Sequence, residues 1–385
     1  MRGDESGPEK GSLTEVARLF LRLGFTALGG PAAHIAMMQN EVVERRKWLT
    51  SEEFLDLLGA THLIPGPNST ELAIHIGNQR AGFRGLLVAG ACFIVPAAAI
   101  SFALAWLYVR LGTVPQARGV LYGVKPVIIA VVLQALLGLG KTALKNRWYT
   151  FIGALCIAAT LAGVGELVVL VGAGALVALL RDHGRPSAGA HRVVLPVALG
   201  TTAAVPATFS ATKLFLVFLK IGSILFGSGY VLLAFLRADL VTRLHWLTEK
   251  QLMDAVAVGQ LTPGPVFSTA TFIGYVIGGG TGSVLATLGI FLPSFFFVAV
   301  SGRLIPYLRR SNHARAFLDG VNVASLALMT VVTGQLGRAA IVDATTGLLA
   351  IGSAILLLRF KLNSAWLVLG GGAVGFALEN AFHVV

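Results

Sequence analysis

The chain has 385 residues, of which 55% are hydrophobic and 12% are charged, and its mean hydropathy is +0.79. Soluble domains carry about 25% charged residues, and apolar runs near 20 residues long are typical of membrane spans, so this composition argues against a soluble protein. A net charge of +12 would suggest nucleic acid as the partner of a soluble protein, but here the basic residues lie mostly between apolar runs. That placement is typical of cytoplasmic loops, so we expect a lipid bilayer and no nucleic acid as partner.

The chain divides into four parts. Residues 1–11 are polar and Gly-rich and lack the basic-then-apolar order of a signal peptide, so we expect a short disordered tail. Residues 12–180 are predicted to form a first repeat and residues 211–385 a second. Between them, residues 181–210 contain a basic loop and an additional apolar stretch, Val193–Phe209.

Each repeat is predicted to begin with two interrupted segments, followed by four apolar spans. In the first repeat the interrupted segments are Ser12–Val43, broken at Gly29-Gly30-Pro31, and Ser51–Arg80, broken at Pro65-Gly66-Pro67. The spans that follow cover about 85–109, 120–140, 149–162 and 167–180. Each interrupted segment either crosses the membrane once as a broken helix or enters and leaves one face as a re-entrant hairpin.

The second repeat matches the first over long distances. Pro65-Gly66-Pro67 returns as Pro263-Gly264-Pro265, a shift of 198 (263 − 65), and Phe20–Gly24 returns as Phe218–Gly222. Further along, one residue drops out and the shift becomes 197. A unit of this length is a duplicated domain rather than a solenoid repeat. Duplicated Pro-Gly breaks in an apolar chain are typical of secondary transporters.

The charges of the loops indicate that the second repeat is inverted relative to the first. The loop with Lys141, Lys145 and Arg147 is basic, whereas its counterpart keeps only Arg338, opposed by Asp343. Basic loops therefore change sides between the repeats, and the additional stretch 193–209 supplies the crossing that inversion requires. We predict an all-α polytopic membrane protein with two homologous halves in an inverted repeat, with broken or re-entrant helices, a cytoplasmic amino terminus and a carboxy terminus on the outside.

The Pro-Gly-Pro breaks are the strongest candidates for a binding site. Proline lacks an N–H and pushes the preceding residue out of the helical region, so a helix cannot continue through Pro65-Gly66-Pro67. Pro67 is well placed to begin a new half-helix, whose free N–H groups at Asn68, Ser69 and Thr70 would favour an anion. The second copy offers Pro265 and Ser268. A structural kink is the alternative interpretation, but duplication of the break favours a site.

Buried ionisable groups supply further candidates. His34, beside the first break, either carries a proton or is a satisfied core histidine. Arg22 and Lys220 occupy matching positions and either neutralise an anion or extend to the membrane interface. Glu71 lies one helical turn behind a break and is favoured as the proton-coupling acid. The predicted substrate-binding residues are Arg22, Gly29, Gly30, Pro31, His34, Pro65, Gly66, Pro67, Asn68, Ser69, Thr70, Lys220, Pro263, Gly264, Pro265 and Ser268, and the predicted proton-coupling residues are Glu71 and His34.

Motifs of enzymes and ATP-driven pumps are missing from the sequence. There is no Gly-rich loop ending in Gly-Lys-Ser/Thr, the histidines lack zinc spacing, and no Ser/His/Asp motif stands out. We therefore expect no cofactor, no metal and no enzymatic activity.

Taken together, these motifs resemble those of the chromate ion transporter family. In the first half the resemblance rests on Phe20–Gly24, Gly29–His34 and Leu63–Ser69, and in the second on Phe226–Gly229 and Leu261–Pro265. It implies the two-domain form of the family and an inner-membrane protein that exports chromate, driven by the proton gradient. The expected partners are chromate or a similar oxyanion, protons, the lipid bilayer and a second copy of the chain in a homodimer.

Two departures from the family pattern bear on the substrate. Leu28 stands where the family usually has phenylalanine, and Asn68-Ser69-Thr70-Glu71 stands where it usually has Ala-Ser-Ser-Gln. An acid in place of a neutral glutamine alters the charge beside the predicted anion site. Transport of sulfate or another solute, a passive anion channel and a membrane-embedded enzyme are therefore the alternatives to chromate export.

Overall fold

A computed structural model describes residues 12–28, 30–111, 115–182, 210–226, 231–360 and 362–382. Within these ranges every regular element is a helix. The predicted tail 1–11, Gly29, the linking stretch Val193–Phe209 and the second break Gly227–Tyr230 lie outside the described residues.

The first half contains seven helices. They are α1 (Leu13–Thr26), α2 (Gly30–Gln39, continued by a π-helical turn Asn40–Arg45), α3 (Ser51–Thr61), α4 (Asn68–Leu111), α5 (Pro115–Ala143), α6 (Arg147–Leu161) and α7 (Glu166–Asp182). Helix α4 is interrupted at Ala81 and Gly82, where Gly82 has φ +63°. Residues 68–80 are therefore called α4a and residues 83–111 α4b.

The second half repeats this order. Its helices are α8 (Ala211–Ile224), α9 (Leu232–Leu236, continued by a π-helical turn Arg237–Arg243), α10 (Glu249–Leu261), α11 (Thr269–Arg310, preceded by a 3-10 turn Val266–Ser268), α12 (Asn312–Ala340), α13 (Ala344–Phe360) and α14 (Ser364–Phe382). Helix α11 breaks at Gly278 and Gly279, with nearly the same backbone angles as the break in α4. The parts before and after that break are called α11a and α11b.

Each of these breaks folds the helix back on itself. A Cβ atom built on Gly77 would lie only 2.4 Å from the carbonyl oxygen of Gly85, and one built on Gly274 only 2.3 Å from that of Gly282. Residues eight apart in a straight helix are about 12 Å apart, so the chain must reverse between them. Glycine makes this close backbone contact possible.

The interrupted segments of the first half are re-entrant hairpins. The guanidinium of Arg80, at the end of α4a, lies 3.5 Å from the carboxylate of Glu15 near the start of α1. It also lies 5.2 Å from the ring centroid of Trp48, which precedes α3. Both interrupted segments therefore begin and end at one level, which we call the first face. The 11 residues of α3 reach about 16 Å, roughly half of a bilayer core.

The second half enters from the other side. Helix α4b is about 43 Å long and carries Tyr108 to the opposite end, which we call the second face. There the hydroxyl of Tyr108 donates to Asp254 on α10, the counterpart of α3. At the first face, Lys145 pairs with Asp319 near the start of α12. The predicted inverted repeat is confirmed.

Four helices of the described chain are long and apolar enough to cross a membrane. They cover Asn68–Leu111, Arg118–Ala143, Val266–Gly302 and Asn312–Ala340. Large apolar side chains are exposed on the outer surface, for example Trp148 at 70% and Trp366 at 73%. Such an outer surface suits lipid rather than water.

Candidate functional site

The two Pro-Gly-Pro loops lie at the tip of the second hairpin of each half. Pro65-Gly66-Pro67, called the first loop, joins α3 to α4a, and α4 begins at Asn68, where the sequence predicts a new half-helix. Pro263-Gly264-Pro265, called the second loop, joins α10 to the 3-10 turn before α11. Gly66 and Gly264 have positive φ values of 140° and 85°, which residues with a Cβ atom rarely adopt.

Each loop is bound by the opposite half of the protein. The N–H of Gly66 donates to the carbonyl of Leu225, just after α8, and the N–H of Gly264 donates to the carbonyl of Ala27, just after α1, both at 2.8 Å. Both donors and both acceptors are related by the shift of 198. In each half, the residue that follows the first helix therefore binds the Pro-Gly-Pro loop of the other half.

His34 connects these breaks to the start of α4a. Its Nε2 lies 3.1 Å from the Ala27 carbonyl, which can only accept, so this nitrogen carries the hydrogen. Its Nδ1 is then an acceptor and lies 3.4 Å from the Ser69 hydroxyl. Both ring nitrogens have protein partners here, as expected for a satisfied core histidine. Its role as a proton carrier stays a prediction.

Glu71 is fully buried against the first loop. Neither carboxyl oxygen has a hydrogen-bond partner among the described residues. A Cβ atom built on Gly66 would lie 2.2 Å from Glu71 Oε1 and 2.9 Å from Ser294 Oγ, so the carboxyl and this hydroxyl flank the loop together. An ionised carboxylate buried without a partner is costly, so this group requires a proton or a ligand.

Three buried hydroxyls accompany Glu71. The side-chain oxygens of Thr70, Ser268 and Ser294 have no hydrogen-bond partner among the described residues. Thr70 and Ser268 occupy matching positions after the two loops. Buried polar groups are normally satisfied, so this duplicated pair of unsatisfied hydroxyls makes the two loops candidates for ligand binding. Ser294 was not predicted from the sequence, where its position directly after Pro293 is the one feature that could have indicated it.

Some of the predicted anion donors are already used. The Asn68 amide contacts the His62 ring at 3.0 Å, and Ser69 contacts His34. The N–H of Thr70 donates to the Pro67 carbonyl, and that of Ser268 to the Pro265 carbonyl. The prediction of a free N–H at Thr70 is therefore wrong, because the first turn closes on the proline. No hydrogen bond among the described residues uses the N–H of Asn68 or Ser69.

Arg22 and Lys220 are each paired with an acid that they share with other cations. Arg22 lies 2.6 Å from Glu41, which also binds Arg45, and Lys220 pairs with Asp239. Asp239 also binds Arg243, so the whole cluster is duplicated. The sequence predicts an anion at these positions because no acid stands at helical spacing from either cation, but each cation has an acid as its partner. The acids follow 19 residues later (41 − 22 and 239 − 220), beyond the reach of helical spacing but close after the hairpin folds.

Two cavities approach the centre from opposite faces. The first has a volume of about 890 Å³ and extends from Lys145 at the first face to His62 and Leu63, close to the first loop. The second has a volume of about 380 Å³ and reaches only to Met253 and Asp254. Several residues that line the two cavities occupy matching positions in the two halves. Arg118 of the second cavity corresponds to Arg315 of the first, and Lys125 of the second corresponds to Asn322 of the first. The first face thus has the deeper access to the loops.

Comparison with known proteins identifies relatives over nearly the whole chain. The model of a family described as "Chromate transporter" matches residues 14–179 and again residues 212–376. A chromate transport protein of Cupriavidus metallidurans is 33% identical and one of Pseudomonas aeruginosa is 32% identical, each covering 97% of this chain and 94% of the relative. A probable chromate transport protein of Synechococcus elongatus is 30% identical over 88% of both chains. No solved structure matches the chain.

The ion pair of Arg22 with Glu41 leads to a first prediction. We expect Arg22→Met to lower thermal stability while transport per folded molecule stays within about twofold of wild type, because the buried Glu41 loses one of its three cations but keeps Arg45 and Arg46 as partners. Melting temperature and transport normalised to folded protein are the measurements, with Lys220→Met as the matched variant. A tenfold loss of transport at unchanged melting temperature would restore Arg22 as an anion ligand.

Proposed function

This chain belongs to the chromate transporter family, and from that premise we propose that it exports chromate across the inner membrane by a proton-coupled mechanism. The observation that carries the proposal is the group of buried, unsatisfied polar atoms at the interlocked loops, formed by Glu71, Thr70, Ser268 and Ser294. A tetrahedral oxyanion offers four acceptor oxygens, which suit the hydroxyl and N–H donors that follow the two loops.

Glu71 supplies a reason for proton coupling. Its carboxyl group flanks the same loop as the donors, so in the ionised form it repels a divalent anion, and in the protonated form it tolerates one. Proton and anion then influence each other at neighbouring positions. Because the second half has Thr269 at the matching place, the coupling acid belongs to one half only.

The charges and the cavities support export as the direction of transport. Arg45, Arg46 and Arg80 lie toward the first face, which by the positive-inside rule favours a cytoplasmic position for that face. The larger cavity opens from this face toward the first loop. In the proposed cycle chromate enters from the cytoplasm and is released on the other side.

This orientation makes a second prediction. We expect the amino terminus in the cytoplasm and the carboxy terminus outside, because the second repeat is inverted. Reporter fusions to each terminus, active on only one side of the membrane, measure this. If both termini report from the same side, an odd number of crossings is excluded and the orientation is wrong.

The direct test of the proposed function is uptake of labelled chromate into everted membrane vesicles. We expect uptake that depends on the protein, exceeds the external concentration and falls when the proton gradient is collapsed. Excess sulfate serves as a competitor, since it shares the charge and shape of chromate. Uptake that only equilibrates would identify a passive channel, and uptake of sulfate without chromate would identify a sulfate transporter.

A further prediction concerns Pro67 in the first loop and the neighbouring acid Glu71. Anion binding to the purified protein should strengthen as pH falls, and Glu71→Gln should keep binding but flatten this dependence, because the site is permanently neutral there. Pro67→Ala should weaken binding about tenfold at every pH, since the half-helix can then run on. Binding is measured from about pH 5 to pH 8, with sulfate in parallel because its charge stays constant.

The exposed acid Glu52 on α3 provides the matched control, and Glu52→Gln should keep the wild-type pH profile. If Glu71→Gln also keeps that profile, Glu71 is not the coupling acid and His34 becomes the next residue to test.

A further inference from the structure

A buried ion pair joins the two halves at the second cavity. Lys125 Nζ on α5 lies 2.8 Å from Asp254 Oδ1 on α10, and the Tyr108 hydroxyl on α4b donates to Asp254 Oδ2 at 2.9 Å. Only 1% of the Asp254 side chain and 13% of the Lys125 side chain are exposed. Three helices, two from the first half and one from the second, therefore meet at one carboxylate.

Stability gives a poor explanation for this pair. Burying two charges costs desolvation energy that their attraction barely offsets, and apolar residues of the same volume often serve as well. At the matching position in the other half, Lys125 is replaced by the neutral Asn322. The fold is thus built there without a lysine, so the cation at position 125 calls for another reason.

The surroundings of the pair suit a small anion. Lys125 and Asp254 line the second cavity, whose volume of about 380 Å³ equals roughly a dozen water molecules at about 30 Å³ each. A tetrahedral oxyanion fits within that space. Two further cations, Arg118 and Lys250, line the same cavity and make the approach from the second face attractive to anions.

We propose that Lys125 is a second oxyanion-binding residue, at which a divalent tetrahedral oxyanion and the Asp254 carboxylate replace each other. The proposal rests on the proposed transport function, because it assigns the release side of the same path. Asp254, the partner of Lys125, precedes the C-cap Thr262 of α10 by eight residues, so its backbone lies about 12 Å along the helix from the second loop, toward the second face.

The exchange changes the charge of the site by one unit. When the divalent oxyanion binds the Lys125 ammonium and Asp254 takes one proton from the cavity, the ion pair goes from neutral to −1, and Arg118 and Lys250 on the same cavity offset this charge. The Tyr108 hydroxyl stays bonded to the carboxyl group throughout. When the oxyanion leaves toward the second face, Asp254 releases the proton and the ion pair forms again. No covalent bond other than the O–H of the carboxyl group changes.

The other acids near Asp254 have partners. The titratable groups that line the cavity are Tyr108, Arg118, Tyr122, Lys125, Glu249, Lys250 and Asp254 itself, and two further acids lie nearby, Asp343 beside Tyr122 and Glu379 on α14, which packs on α10. Glu249 pairs with Arg237, Asp343 accepts from Tyr122, and Glu379 has an interaction of its own. Among the described acids of this cavity, Asp254 is therefore the one whose partner an anion would take.

The test uses the purified full chain in lipid nanodiscs. Binding of sulfate and of chromate is measured by calorimetry in two buffers of different ionisation enthalpy, which counts the protons taken up. The variants are Lys125→Asn, the residue of the matching position, together with Asp254→Asn and the double variant. Lys125→Arg keeps the charge, and Lys141→Asn removes a charge from the exposed end of the same helix as a control.

We expect Asp254→Asn to bind the anion several-fold more tightly and to take up about one proton fewer than wild type. Lys125→Asn should weaken one of the two binding events about tenfold and leave the event at the loops unchanged, the double variant should behave in the same way, and Lys125→Arg and Lys141→Asn should bind like wild type. If the double variant regains both wild-type stability and wild-type binding, the pair is structural and the proposal is wrong. Unchanged proton uptake in Asp254→Asn overturns it as well.

The two proposals fail separately. If wild type accumulates chromate in vesicles but Lys125→Asn binds anions normally, only the second site is lost. If wild type moves no chromate but sulfate binding follows the expected order of variants, the site stands and chromate export is the proposal that fails.

Discussion

The architecture depends on how a broken helix is satisfied inside a membrane. A bilayer core provides no water for free backbone groups, so irregular backbone is tolerated only where protein supplies the partners. Here the partners are reciprocal: Gly66 of one half donates to Leu225 of the other, and Gly264 donates to Ala27. In this arrangement each repeat caps the loop of its counterpart, so the two halves of the chain depend on each other.

Comparison of the two halves distinguishes the residues that build the fold from the charged residues proposed to act in transport. Features that build the hairpins are present twice, including the acid that binds a helix cation, at Glu41 and Asp239, and the glycine reversals at Gly82 and Gly279. Features that bear on charge at the centre are present once. Glu71 has Thr269 as its counterpart, and Lys125 has Asn322. A transporter must bind differently on its two sides, so asymmetry within a symmetric frame lies where transport chemistry would need it.

Close backbone packing holds this frame together. In lipid, apolar side chains gain little by leaving their surroundings, and helices associate instead through small residues that bring backbones together. Gly24 brings α1 against α4b, and Gly222 brings α8 against α11b; a Cβ atom on either would lie within 2.9 Å of a carbonyl oxygen. Gly123 and Gly371 do the same for α5 and α14. The many glycines of this chain thus serve packing more often than binding.

The sequence by itself determined the repeat, the all-helical class and the start of the half-helix at Asn68. These depend on short-range causes: apolar runs set span length, and proline fixes its own φ and removes a donor wherever it stands. Tertiary structure alone decided that the interrupted segments return to one face, that Arg22 is paired with Glu41, and that Asn68 and Ser69 face histidines. It also placed Ser294 beside Glu71 and Lys125 beside Asp254, residues more than 120 positions apart. No local rule reaches that far, because such contacts arise only when reversing hairpins from two halves pack against each other.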